Sequence, residues 1–273
     1  MHTKGRRDGA TSVGALLRRW RLSRGRSQLD LALEAGVSPR HLSCVETSKA
    51  QPSRDLLEAL ANVLGVPLRE RNALYVAAGY APPYRETELS APGLGSYRRA
   101  IGLILEHQSP YPAFVTNRYW DVLLTNRPLE ALFAAIKAGA VIHPNILRQV
   151  FDPDDMRPLI ANWDEVARDL LQHLHHEVAG SPSDIKLRGL LDEVMAYSDV
   201  PQHWRFRDLG AMPQPVMTTH FFGNGLNARF FSTVTSFGPS RDVTLAEVRI
   251  ECMFPADDET ARLCAALARG MTT

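Results

Sequence analysis

Cysteine is scarce in this chain. Three residues, Cys44, Cys252 and Cys264, stand far apart among 273. An odd and scattered set excludes a disulfide framework and a C-x-x-C metal pair, and points to a reducing, cytoplasmic setting. Long apolar runs are also missing. Charges interrupt every stretch well before the roughly 18 residues needed to cross a membrane. The opening MHTKGRRDGATS is basic but has no apolar run behind it. It therefore does not read as a secretory leader, and residues 1–12 are expected to be a disordered basic arm. There is no internal repeat, no G-x-S-x-G nucleophile elbow and no H-E-x-x-H pair. Gly93-Leu94-Gly95 is too short for a nucleotide loop. No catalytic residue, metal site or required cofactor is expected, and the chain is not read as an enzyme.

The composition, 45% hydrophobic and 22% charged, suits one large globular domain or two ordinary ones. The net charge of +1 conceals an asymmetry. Residues 1–85 carry 14 Lys and Arg against 7 Asp and Glu, a net of +7; residues 86–273 carry 17 against 23, a net of −6. A basic first module facing a polyanion, joined to an acidic remainder, is the reading.

The basic part reads as five short helices over residues 13–80. Val13, Leu16, Leu17 and Trp20 fall on one face of the first, which Gly25 ends. Ser27, with Asp30 three residues on, reads as the cap of QLDLALEA, which Gly36 ends. Ser38 caps PRHLSCVET, with Pro39 at the first helical position, where its missing N–H costs nothing. Ser53 caps RDLLEALANVL, and Pro67 opens LRERNALYVAAG. A helix, a tight Gly36–Val37 turn and a Pro-led second helix make a helix-turn-helix, whose second helix can enter a major groove. A helical bundle that binds protein instead is the alternative.

SQLDLALEAGVSPRHLSCVETSKAQPS, followed by LLEALANVLGV, resembles the XRE-type (phage repressor-like) helix-turn-helix. The resemblance implies that Ser38, Pro39, Arg40, Ser43 and Cys44 face the groove, with Arg40 suited to bidentate reading of guanine. Gln28, Thr47 and Lys49 are the implied phosphate contacts, and Arg21 and Glu46 an ion pair tying the first helix to the third. Ser48 departs from the family pattern, which has glycine there, so an altered or strained turn is expected.

Prolines mark a linker with a short helix over residues 81–108. Beyond it, residues 109–273 read as an α+β domain. PAFVTN and WDVLLTN suggest a hairpin. Helices are expected over LEALFAAI, Arg157–Glu177 and Asp184–Ser198. PVMTTHFFG, ARFFSTVTSFG and TLAEVRIECMF suggest an antiparallel meander, with Asn224–Gly225 as a hairpin turn, and DETARLCAALARG a closing helix. His173, His176 and Glu177 share a helical face with spacing that suits a metal; an exposed helix end is the blander and preferred reading. Asp152, Asp154 and Asp155 read as a turn and helix cap. The aromatics, Phe114, Trp120, Trp163 and Trp204 among them, suffice either to line a cavity or to fill a core.

NRYWDVLLTNRPLEALF, HPNILRQVFDPDDMRPLIANWDEVARDLL and YSDVPQHWRFRDL resemble the MmyB-like transcriptional regulators. That resemblance implies a PAS-like ligand-binding domain with an antiparallel sheet, and a long-chain fatty acid or similar apolar molecule as ligand. A carboxylate would need a buried donor; Asn145, Arg148, His203 and His220 are the candidates. The expected partners are thus double-stranded operator DNA and a small apolar ligand, with the chain acting as a homodimer away from membranes. A metal-dependent enzyme fused to a DNA-binding module and a ligand-free dimerisation domain are the rivals.

Overall fold

Four serines start the first four helices in the computed structural model, which describes residues 12–181, 183–206, 218–238 and 240–270. Of the expected basic arm only Ser12 is among them. Its hydroxyl accepts from the Ala15 N–H at the head of α1 (Val13–Ser23). Ser27 does the same for Asp30 in α2 (Gln28–Glu34), Ser38 for His41 in α3 (Pro39–Glu46), and Ser53 for Leu56 in α4 (Arg54–Val63). Each bond satisfies a donor that the helix leaves unpaired. Pro67 precedes α5 (Leu68–Ala77). The five expected helices are the five observed, within a residue or two at their ends.

Leu17, Trp20, Leu31, Leu42, Val45 and Leu57 fill a shared core. Between α2 and α3, Gly36 adopts φ +69°, and the Val37 N–H reaches back to the Ala32 carbonyl at 2.9 Å. This left-handed closure, cheap for glycine, sets the turn. Gly14 serves another purpose: a Cβ there would lie 2.3 Å from the Val45 carbonyl oxygen, so α1 crosses the end of α3 only because residue 14 has no side chain.

The chain falls into two compact units: the first takes the residues up to Glu86 together with 179–184 and 241–243, and so the last two residues of α9 and the first of α11 below, and the second takes the remainder. The second contains α6 (Gly95–His107), β1 (Ala113–Thr116), β2 (Val122–Thr125), α7 (Arg127–Ile136), α8 (Ile146–Phe151), α9 (Trp163–Gly180) and α10 (Ile185–Val194). It continues through β3 (Thr218–Gly223), β4 (Leu226–Ser236), α11 (Val243–Glu247), β5 (Arg249–Pro255) and α12 (Asp258–Gly270). The strands form one antiparallel sheet in the order β2-β1-β5-β4-β3, with the last strand in the centre. Asn224 (φ +49°) and Gly225 (φ +77°) make the tight β3–β4 turn.

One sheet face packs Val115, Ile250 and Cys252 against Ile101 and Leu105 of α6. The short helix expected within a linker is therefore part of the domain. The other face carries Phe114, Ala228, Phe230 and Met253 beneath α7 to α10 and α12. Three further expectations change. The helix over Arg157–Glu177 breaks into a 3-10 turn at Arg157–Leu159 and α9, because Ile160 is extended and bridges to Phe221. The helix expected to Ser198 ends at Val194. The first residues of TLAEVRIECMF belong to α11, and strand begins only at Arg249. Residues 207–217, including the start of PVMTTHFFG, lie outside the described residues.

Candidate functional site

In the first domain the face of α3 that carries Leu42, Val45 and Glu46 is buried, and the opposite face is not. Arg21 donates twice to Glu46, at 2.7 and 2.9 Å, and Gln28 Nε2 donates to the same carboxylate at 2.7 Å. Burial alone would push the Glu46 carboxyl up; the hydrogen bonds from Arg21 and Gln28 outweigh it and hold the group below the usual carboxylate range. Glu46, the sole acid on α3, is thus turned inward and neutralised. The outward side presents Ser38, Pro39 and Arg40, exposed, with Ser43 and Cys44 half-buried beside them. Arg40 and Lys49 enter no ion pair among the described residues. Thr47 caps the helix end and donates to the Ser43 carbonyl at 2.7 Å. The Gln28 amide, expected as a phosphate contact, is held by Glu46. Ser48 stands at φ +58°, where a glycine would be unstrained, and its hydroxyl meets that of Ser12 at 3.0 Å.

In the second domain a cavity of about 530 Å³ lies between the inner sheet face and α9. Strand register builds its floor. Phe114, Glu251 and Val234 are directly paired neighbours on β1, β5 and β4; Thr116 sits beside Arg249, and Met253 beside Ser232. Helical periodicity builds its roof, because Val166, Asp169, Leu170, His173 and Glu177 share one face of α9. Phe133, Val150, Met156, Ile160 and Phe221 complete apolar walls. The volume falls in the range of about 300–1,000 Å³ usual for small-molecule sites.

Charge gathers at the mouth, which the 63% exposed His173 side chain and 62% exposed Val234 mark. Arg249 pairs with Glu177. The indole of Trp120, a residue at φ +65° in the β1–β2 turn, donates to the other Glu177 oxygen at 3.0 Å. His173 Nδ1 lies 3.0 Å from the Asp169 carbonyl and 3.2 Å from its carboxylate, which raises the imidazole above its ordinary value. Glu251 has no ion pair among the described residues. Burial pushes its carboxyl up against partial opposing pulls from the Ser232 hydroxyl and the charge of His173, and it lines the cavity.

Of the expected ligand-binding residues, only Phe114 and Trp120 line this space. Asn145, 1% exposed, caps α8 and donates to the Tyr119 carbonyl and to Asp121. Arg148 forms a two-fold pair with Glu193 at 2.6 and 2.9 Å. His203 is exposed in a 3-10 turn. His220 sits on β3 between two lining residues, Thr219 and Phe221, and is not itself in the lining. Trp163 borders a separate shallow depression with Arg157 and Phe222, and Trp204 is buried against it, ring centroids 5.9 Å apart. His173 and His176 are exposed, as expected of that segment, but His173 and Glu177 also line the cavity. Among the described residues no group of three or more His, Cys, Asp or Glu is placed to hold a metal ion. Asp152 fits its expected turn, accepting from the Asp154 N–H at 2.8 Å; Asp155 is buried and accepts from the Ile142 and His143 N–H groups.

Sequence reasoning missed Asp169, Ser232, Arg249 and Glu251. A signal was present: Arg249 and Glu251 alternate with Ile250 and Cys252, which places two opposite charges on one face of a strand otherwise built for a core.

Family comparison accords with both halves. Residues 97–267 match the MmyB-like transcription regulator ligand binding domain, and residues 17–71 match a helix-turn-helix model. The chain belongs to the MmyB-like transcription regulators. The cavity thus lies inside the family's ligand-binding domain, and α2 and α3 inside its helix-turn-helix. No curated protein matches the chain. Among solved structures, one titled "Structure of an RNA-binding Light-Oxygen-Voltage Receptor" is similar at 12% identity and a TM-score of 0.27, over 94% of this chain. The chain spans 62% of that structure's length. Among the described residues no helix of this regulator is long and apolar enough to cross a membrane.

Proposed function

We propose that this regulator reads operator DNA with the exposed face of α3 and responds to an apolar small molecule held between α9 and the sheet. The observation that carries the reading is the cavity within a ligand-binding domain, joined in one chain to an outward helix face free of acid. Arg40 reads a base edge, with Ser38, Pro39, Ser43 and Cys44 around it. Lys49, Thr47 and the backbone N–H at Gln28 contact phosphates. Two copies bind a palindromic site as a symmetric dimer in the cytoplasm. The sheet, with its final strand at the centre and helices over the cavity, supports the PAS-like reading. Ligand control requires different affinity for the DNA-competent and DNA-incompetent arrangements.

A long-chain fatty acid is the ligand the family resemblance implies. The apolar walls suit its chain: burying about a dozen CH₂ groups at roughly 0.8 kcal/mol each gives on the order of 10 kcal/mol gross, less ordering costs. The cavity suits its carboxylate poorly, since Asn145, Arg148, His203 and His220 stand elsewhere and three carboxyl groups are in its lining.

Arg40→Ala should cost about 1–3 kcal/mol of discrimination at one base pair. Lys49→Ala should weaken all sequences alike and reduce the salt slope by about 1. Fluorescence anisotropy on operator and scrambled duplexes checks both; unchanged affinity and preference in Arg40→Ala would refute the α3 register. Organic extraction of the purified protein, with lipid-dependent melting, tests the cavity.

A further inference from the structure

The polar groups at the cavity mouth are not evenly partnered. Asp169 is matched by His173, and Glu177 by Arg249 and the Trp120 indole. Glu251 has the Ser232 hydroxyl and no cation in contact; the attraction of His173, itself bonded to Asp169, reaches it only at longer range. It sits on the central strand, flanked in register by Phe114 and Val234. The titratable and charged groups that border the space are Asp169, His173, Glu177, Arg249 and Glu251. Three are acids, and both cations are already engaged. A carboxylate entering here meets net negative charge, and it gains a cation only by breaking an existing pair. A cationic donor meets an excess of acid, with Glu251 holding no cation at ion-pair distance.

Given that the cavity is the ligand site, we infer that it selects an amphiphile whose polar end is an amine, with the ammonium group against Glu251 and the hydrocarbon body among Phe114, Val166, Met156 and Phe221. The apolar walls supply affinity, and a glutamate with no cation in contact supplies the choice of headgroup. Burial pushes the Glu251 carboxyl up by more than the Ser232 hydroxyl and His173 pull it down; a bound ammonium would add a further downward pull.

The test is calorimetric titration of the full chain at pH 7 with three ligands of one chain length: octylamine, octanol and octanoate. Octylamine should bind at least about tenfold tighter than octanoate, with octanol between them. Glu251→Gln should lower octylamine affinity by about tenfold and leave octanol within about twofold. Tighter binding of octanoate than of octylamine, or equal binding of all three, overturns the headgroup choice while the cavity remains a ligand site. Absence of binding by all three overturns the cavity reading and the inference together. The three wild-type titrations decide the matter even if Glu251→Gln fails to fold.

Discussion

The two domains each turn a glutamate inward, and they treat it in opposite ways. In the helical domain Glu46 is locked by Arg21 and Gln28, and its carboxyl is held below the ordinary range. In the α+β domain Glu251 faces a cavity with the Ser232 hydroxyl and no cation in contact, and burial pushes its carboxyl up against the weaker pulls of Ser232 and His173. The first arrangement is closed and belongs to the scaffold that presents α3. The second is open and lines the cavity. A buried charge whose partners are complete stabilises a shape; one whose partners are incomplete marks where something else is meant to bind.

Breaking the closed arrangement should have the largest effect. The pair is almost fully buried, with side-chain exposures of 8% for Arg21 and 1% for Glu46. Arg21→Met should therefore cost about 3–5 kcal/mol, because it strands Glu46 without its cation. Urea denaturation checks this, and a loss below about 1 kcal/mol would show the pair to be dispensable. Gly14→Ala should come next, at about 1–3 kcal/mol, because the new methyl must displace the Val45 carbonyl of the helix that Arg21 also holds. A normal melting temperature would mean that α1 and α3 separate easily.

The open arrangement predicts a gain instead. With its folded value above the ordinary 4.5, Glu251 binds its proton more tightly in the folded chain than in the unfolded one. Stability is therefore lost as pH rises from about 4.5 through the raised value. Glu251→Gln removes that loss, so its melting temperature should exceed wild type at pH 8 by more than at pH 4. Glu46 has the opposite sign: its contribution is present above 4.5 and is lost as pH falls through its lowered value. Equal shifts at both pH values for Glu251→Gln would dissolve the contrast. The smallest effect belongs to Ser48. Glycine there should stabilise by about 0.5–1 kcal/mol, since φ +58° is strained for serine. A loss would indicate that the Ser12 hydroxyl contact matters more than the strain.

The same contrast governs what could be read from the residues. The Ser27, Ser38 and Ser53 caps, the Gly36 turn and the Arg21–Glu46 pair are near neighbours or follow a familiar spacing, and each was legible. In the second domain the hairpin at Asn224–Gly225 and helix α7 were equally legible, because turn residues and helical periodicity act within a few positions. The cavity was not. Arg148 was an attractive carboxylate partner in sequence, but Glu193 on α10 already satisfies it. His173 and Glu177 looked like a solvated helix end, because nothing near them in sequence says that β5 lies beneath.

The sequence by itself therefore determined the helical module, the outward face of α3 and the family, since caps, turns and hydrophobic stripes are written into adjacent residues. Only the tertiary structure decided which side chains meet around the cavity. That depends on the register of β5 between β1 and β4 and on which face of α9 covers it. Both are fixed by packing among segments far apart in the chain, where a one-residue slip would turn Glu251 to the opposite face.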